Sequence, residues 1–255
     1  MRAGREGHGW WPYLLPLFLF LALGEVAGRF PETARAVFLP LKVLLPGGLF
    51  LFYLLRGHYP ELRDYPGNLR GVALDVLVGV AGAVLWMAPY IAMLWAKPEF
   101  WTAGWPEWLQ PSAADAFDPN QLGASLVALT LGLRCLGYGV VTPFIEELFV
   151  RSWLLRYADV FDKAVDFRDV PIARFSWRSF LVVVVFFTIS HVPWEWPVAV
   201  LWVVGTQLWF YHRKHLAALV VVHAGSNLSI FFFVLAMSGR LSDRAGVPID
   251  LWFFI

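Results

Sequence analysis

One cysteine stands among the 255 residues, so Cys135 has no partner for an internal disulfide and no companions for a thiolate zinc cluster. Within an apolar run it reads as a small buried hydrophobe. Charge is scarce as well: Asp, Glu, Lys and Arg make up 15% of the chain, against roughly 25% in a soluble domain. The net charge of +1 is far from the strongly basic surface of a nucleic-acid binder, and no nucleic-acid partner is expected. Alternating apolar and polar segments of about ten residues, the mark of a membrane β-barrel, are missing. So are repeats, low-complexity tracts and any internal boundary, which leaves 1–255 as one membrane domain.

What is present is hydrocarbon. The chain is 59% hydrophobic with a mean hydropathy of +0.61, and apolar runs of spanning length recur along it. The pattern predicts an all-α polytopic membrane protein, a bundle of about eight transmembrane helices around a buried polar site. Spans are expected near Trp10–Ala27, Ala36–Leu55, Gly71–Trp95, Gln121–Val141, Phe180–His191, Trp196–Tyr211 and Leu216–Met237, with a shorter polar-marked helix at Pro143–Tyr157. Residues 1–96 supply additional N-terminal helices, and 121–237 holds the polar segments. Arg2 and Arg5 ahead of an apolar stretch resemble a cleaved signal, but Pro12 and Pro16 interrupt it and a retained first span is the better reading. Membrane lipids are expected partners, in a bacterial inner (plasma) membrane.

The 14 tryptophans are many for this length. Trp10, Trp11, Trp86, Trp95, Trp101, Trp105, Trp108, Trp194 and Trp196 stand near the ends of apolar runs, where interfacial belts belong. Lys97–Asn120, with four prolines, reads as an extramembrane loop, Asp159–Trp177 as a second, and Ser238–Ile255 as a tail on the membrane surface.

Orientation is in conflict. Arg56, Arg63 and Arg70 in one loop, and Lys163, Arg168, Arg174 and Arg178 in another, both belong in the cytoplasm. They share a side only if Pro143–Tyr157 does not cross, which gives seven crossings. Seven crossings would put Glu146 and His191 on opposite faces; eight put them near one face. Isolated polar residues in lipid need one another more than loops need the charge rule, so eight is the expected number.

Three short segments carry those polar residues. In the first, Glu146 and Glu147 point in different directions at about 100° per residue. Arg151 follows Glu147 by one turn, with the acid on the N-terminal side, so this pair is assigned to structure and Glu146 to chemistry. Pro143 suits a first helical turn. In the second, His191 ends an apolar run one turn after Phe187; alone, it reads as an interfacial histidine. In the third, His223 lies well inside a span with Asn227 one turn on, and Gly225 between them permits close helix approach. Each segment separately could be a structural polar contact. Arg134 needs a partner such as Asp75, and His212 and His215 flank Arg213 and Lys214 in a solvated or headgroup-facing turn.

The ordered set Glu146, Glu147, Arg151, then Phe187, His191, then His223, Asn227 resembles the CAAX-protease and bacteriocin-processing (CPBP, or Abi) family, which includes type II CAAX prenyl endopeptidases. The resemblance implies an intramembrane endopeptidase that hydrolyses a peptide bond near the C-terminus of a lipidated or membrane-associated protein substrate. It implies Glu146 as the base that activates water, His223 sharing that water, and His191 with Asn227 stabilising the oxyanion. Glu147, Arg151 and Phe187 would support them, and no cofactor is expected. A carboxylate screened from bulk water suits proton transfer near neutral pH, and fixed donors are strongest in a dry cavity. Two other readings stand beside it: zinc held by Glu146, His191 and His223, and a non-catalytic membrane factor, an immunity protein or scaffold, that uses the cluster for stability. An ion-conducting transporter is a weaker third.

Overall fold

The computed structural model describes residues 7–30, 34–65, 67–96, 108, 118–119 and 123–255. Most of the expected 97–120 loop, with Trp101 and Trp105, lies outside the described residues. Among those described, regular structure is helical: α1 (Trp11–Ala27), α2 (Arg35–Leu55), α3 (Leu69–Ala96), α4 (Ala124–Ala158), α5 (Trp177–Ile189), α6 (Trp196–Arg213) and α7 (Leu216–Met237), with short 3-10 turns between some of them. Helices α3, α4 and α7, and α2 over Val37–Leu55, are long and apolar enough to cross a membrane. That composition marks an integral membrane protein.

The expectation of eight spans is corrected to seven helices, because the stretches expected at 121–141 and 143–157 form the single helix α4. Proline inside a helix removes a hydrogen bond and presses its ring on the preceding turn, so Pro143 looked like a helix start. The backbone absorbs it. Gly137–Val141 and Leu148–Leu154 are π-helical, and between them Thr142–Glu147 is α-helical with Pro143 in its first turn. A widened turn just ahead of the proline lets the helix continue, and such π-turns concentrate at functional sites.

One continuous α4 resolves the conflict over orientation. At 1.5 Å per residue it is about 52 Å long, and Glu146 sits inside it rather than near its start. The basic loops 56–68 and 159–176 meet on one face. There Arg156 pairs with Glu61 at 3.3 Å, Ser152 Oγ donates to the same carboxylate, and Tyr13 stacks edge-on to Phe167 at 5.4 Å. The α6–α7 turn joins them through His215, whose Nε2 donates to the Arg63 carbonyl at 2.9 Å while Nδ1 caps α7 at Ala217 N. The 190–195 connection and the tail occupy the other end, where Arg244 N donates to Trp95 O at the close of α3. Seven helices thus satisfy the charge rule and leave Glu146 within reach of His191.

Several pairings differ from the sequence reading. Asp75 is bound by Arg213, not Arg134: Nε and Nη2 of Arg213 each donate at 2.9 Å, and Tyr65 Oη (2.8 Å) and Trp209 Nε1 (2.9 Å) complete the shell of this fully buried carboxylate. Arg213 is therefore an internal tie between α3 and α6 rather than a solvated residue. Burial and the hydrogen bond to Asp75 push the Tyr65 hydroxyl up to about 12, so it remains a donor at physiological pH. The tail is not laid on a surface. It folds back through Ile249 N to Leu241 O at 2.8 Å, and Leu251 and Phe254 are buried.

Helix α7 is central: 56% of its apolar window is buried within the protein, against 11% for α2, whose Leu and Phe side chains are left for lipid. α3 packs closely along it. A Cβ on Gly79 would stand 2.5 Å from Val222 O, so that position of α3 excludes any side chain. The close approach expected at Gly225 is real, with Gly79 as its more crowded half.

Candidate active site

A cavity of about 470 Å³ lies between α3, α4, α6 and α7, and Glu146, His191, His223 and Asn227 all line it. The structure thereby brings the three sequence segments to one place. Three parts of the chain supply them: Glu146 stands in α4, His191 just after α5, and His223 and Asn227 in α7. His223 is buried in α7; its Nδ1 is 2.9 Å from Glu147 Oε1, and its Nε2 faces Glu146 Oε2 at 3.8 Å. A carboxylate oxygen of Glu147 accepts here, so Nδ1 carries a proton, and in the neutral ring the Nε2 lone pair faces Glu146.

His191 follows the same logic. Its Nδ1 lies 2.7 Å from the Phe187 carbonyl, which must accept, so the neutral ring also keeps its lone pair on Nε2. The imidazole is held against the Phe187 ring at 4.5 Å and the Trp86 ring at 5.3 Å, and Trp196 Nε1 fixes its backbone carbonyl at 3.0 Å. Phe187 in turn stacks on Trp202 at 5.0 Å, and Trp202 meets the His223 ring edge-on at 5.0 Å. One aromatic column therefore sets both histidines.

Asn227 Nδ2 donates to the Tyr138 carbonyl at 2.8 Å, inside the first π-turn of α4. The widened turn exposes an acceptor to α7, and the second Nδ2 hydrogen remains for a ligand.

The division of the two glutamates needs correction in one respect. Arg151 Nε lies 3.8 Å from Glu147 Oε2, a charge contact too long for a hydrogen bond, while Glu147 makes its short contact to His223. Glu147 is thus the orienting partner of a site histidine as well as the partner of Arg151. Arg151 is fully buried, donates through Nη2 to Thr206 Oγ1 at 3.1 Å and lies 5.6 Å over the Phe187 ring. One cation so connects α4, α5 and α6 behind the cavity.

The sequence reading missed six residues that line the cavity. Trp86 and Trp194 are not interfacial: Trp86 lines the cavity and donates to Glu195 Oε1 at 3.3 Å, and Trp194 is buried with its carbonyl taken by Tyr90 Oη at 2.5 Å. Lys42 and the tail residues Phe253, Phe254 and Ile255 also line the cavity. Lys42 carried a readable signal, a cation in the middle of an apolar run; for the tail there was none, because only folding brings it back.

Zinc was the alternative for Glu146, His191 and His223. Among the described residues, no three His, Cys, Asp or Glu side chains stand close enough together to hold a metal ion. The donor types suit zinc but their placement does not, and no mechanistic step is routed through a metal.

Fold and site together define a helical membrane protein with a carboxylate–imidazole centre inside its bundle. Residues 128–229 match the model of the type II CAAX prenyl endopeptidase Rce1-like family, the family that the chain's motifs resemble. No curated protein and no solved structure matches the chain.

Proposed function

We propose that the protein is an intramembrane endopeptidase that hydrolyses a peptide bond near the C-terminus of a membrane-associated or lipidated protein, using water activated by Glu146. The observation that carries this reading is the 3.8 Å gap between Glu146 Oε2 and the His223 Nε2 lone pair, with His223 held in that tautomer by Glu147. A water set between two acceptors gives one hydrogen to each and turns an oxygen lone pair toward the cavity. Its oxygen attacks the scissile carbonyl as Glu146 takes the proton. The tetrahedral oxyanion receives the remaining Nδ2 hydrogen of Asn227. His191 can donate from Nε2 only as the imidazolium, because the Phe187 carbonyl already holds Nδ1–H, so Asn227 is the constant donor and His191 the conditional one. Collapse breaks the C–N bond, and Glu146 returns its proton to the leaving amine.

The same reading gives the site a direction. The face that gathers Arg56, Arg63, Lys163, Arg168, Arg174, Arg213 and Lys214 is assigned to the cytoplasm by the positive-inside rule. The cavity is bounded by Trp194, Glu195 and the tail, which belong to the other end, so substrate enters from the non-cytoplasmic half of an inner (plasma) membrane. Single cysteines at Val192 and Lys163 in a Cys135→Ser background, expressed in bacterial spheroplasts, check this with a membrane-impermeant maleimide. Cysteine at 192 should label and cysteine at 163 should not; the reverse pattern inverts the assignment.

Cleavage itself is tested by incubating the purified protein with membrane proteins from its source and mapping new C-termini by mass spectrometry. New termini are expected with the unsubstituted protein, with or without a chelator, and none with Glu146→Gln. Equal termini from both proteins would leave the polar cluster with a structural role only. Loss of cleavage on chelation would replace the glutamate mechanism with a metal one.

A further inference from the structure

One tyrosine in the cavity wall has had no part in this chemistry beyond its backbone. Tyr13, Tyr59, Tyr65 and Tyr90 each give their hydroxyl hydrogen to a fixed acceptor: the His58 carbonyl, the Pro12 carbonyl, Asp75 and the Trp194 carbonyl. Tyr138 does not. Its carbonyl accepts from Asn227, but among the described residues its hydroxyl makes no hydrogen bond, although the residue lines the cavity of about 470 Å³ with Glu146. The charges that act on that hydroxyl are those of Glu195, then Glu146, then Arg134, and both carboxylates line the same cavity. A half-buried phenol that faces a cavity without a partner is a donor left for a ligand.

The backbone of α4 explains why Tyr138 stands there. Eight residues of regular α-helix would carry Glu146 about 80° around the axis from Tyr138, onto a different face. The π-turn at Gly137–Val141 inserts one extra residue, which takes back about 100° and leaves the two within about 20°. Thr142, midway between them, lines the same cavity, as that register requires. The turn is also clamped on both sides. A Cβ on Gly137 would stand 2.7 Å from Val43 Cγ2 of α2, and one on Gly139 would meet the Leu228 side chain of α7. Tyr138 is therefore held between two bare positions, with its carbonyl on Asn227 and its ring in the cavity wall.

We propose that Tyr138 is a further catalytic residue, whose hydroxyl donates a hydrogen bond to the oxyanion alongside Asn227. The proposal rests on the endopeptidase reading. In that reading Asn227 is the constant donor and His191 a conditional one, so Tyr138 supplies a second donor whatever the state of His191. The hydroxyl keeps its own proton throughout, and Glu146 alone takes the proton from water and returns it to the leaving amine. One joint in α4 thus sets both constant donors, Asn227 through the Tyr138 carbonyl and the phenol through the Tyr138 ring. A fixed donor that meets charge developing only in the transition state, away from bulk water, acts on kcat rather than on substrate binding.

Tyr138→Phe removes the hydroxyl and leaves the ring and the carbonyl contact to Asn227 in place. The probe is a quenched-fluorescence peptide spanning a cleavage site mapped from source membranes, assayed with the full chain in detergent. Tyr138→Phe should lower kcat by about 10²-fold, the lower end of what removing one oxyanion donor costs, with KM held within about twofold. Replacing Tyr138 by 3-fluorotyrosine keeps the donor and should hold kcat within about threefold of the unsubstituted protein. Unchanged kcat in Tyr138→Phe, or a loss carried by KM, overturns the proposal. So does an equal loss with the fluorinated ring, since packing rather than the donor then sets the rate. Absence of any mapped site with the unsubstituted protein would sink the peptidase reading and this role with it. Cleavage that survives Tyr138→Phe undiminished sinks the role alone, so the two failures are separable.

Discussion

Glu146→Gln is expected to lower cleavage by about 10³-fold, chiefly in kcat, because a general base supplies roughly 10² to 10⁴ of rate. The substitution keeps the size and one acceptor oxygen of the side chain but cannot take a proton. The site should otherwise hold: His223 stays tied to Glu147 at 2.9 Å, and Asn227 to Tyr138 at 2.8 Å. Substrate should still bind, so KM changes little, and unfolding in detergent should match the unsubstituted protein within about 1 kcal/mol. Single-turnover cleavage of an identified client provides the measurement. A loss smaller than about tenfold would remove Glu146 from the chemical step.

The largest loss of stability is expected from Arg151→Ala, at about 3–5 kcal/mol, the cost of stranding a buried charge by removing its partner. Arg151 and Glu147 are both buried in α4, and Arg151 also binds Thr206 of α6 and covers the Phe187 ring of α5. Without it the Glu147 carboxylate faces only His223, and three helices lose a common contact. Denaturant titration in mixed micelles reads the change. The double substitution Glu147→Gln with Arg151→Met removes both charges and should recover much of the stability, since apolar replacement of a buried pair is often nearly neutral. It should not recover activity, because glutamine holds His223 Nδ1 without a carboxylate's charge to support the ring during proton transfer. Recovered cleavage in that variant would reduce Glu147 to a structural residue; unchanged stability in Arg151→Ala would contradict the buried-pair account.

The helical membrane class, and the polar residues that gather at one cavity, were legible from local information. Transfer of apolar runs into lipid depends on composition over about 20 residues, so the positions of α1, α2, α3, α6 and α7 follow from hydropathy. Polar residues in such runs are costly, so Glu146, Glu147, Arg151, His191, His223 and Asn227 stand out from their apolar neighbours by residue type alone. Helical spacing separated Glu146 from Glu147 and put His223 and Asn227 on one face.

The rest depended on non-local contacts. Pro143 argued for a break, and the π-turns at Gly137–Val141 and Leu148–Leu154, packed against neighbouring helices, make α4 one helix instead. That continuity set the helix count, reconciled the basic loops with the site, and moved Glu146 into the bundle. Whether Asp75 meets Arg134 or Arg213 depends on which helices touch, and spacing within one helix says nothing about that. The protons on His191 and His223 depend on acceptors supplied by Phe187 and Glu147, so their chemistry was undefined until those contacts existed. Composition and helical spacing settled which residues could not be left in lipid. Packing between helices settled which of them share charge, because pairing energies depend on distances of a few ångströms between segments far apart along the chain.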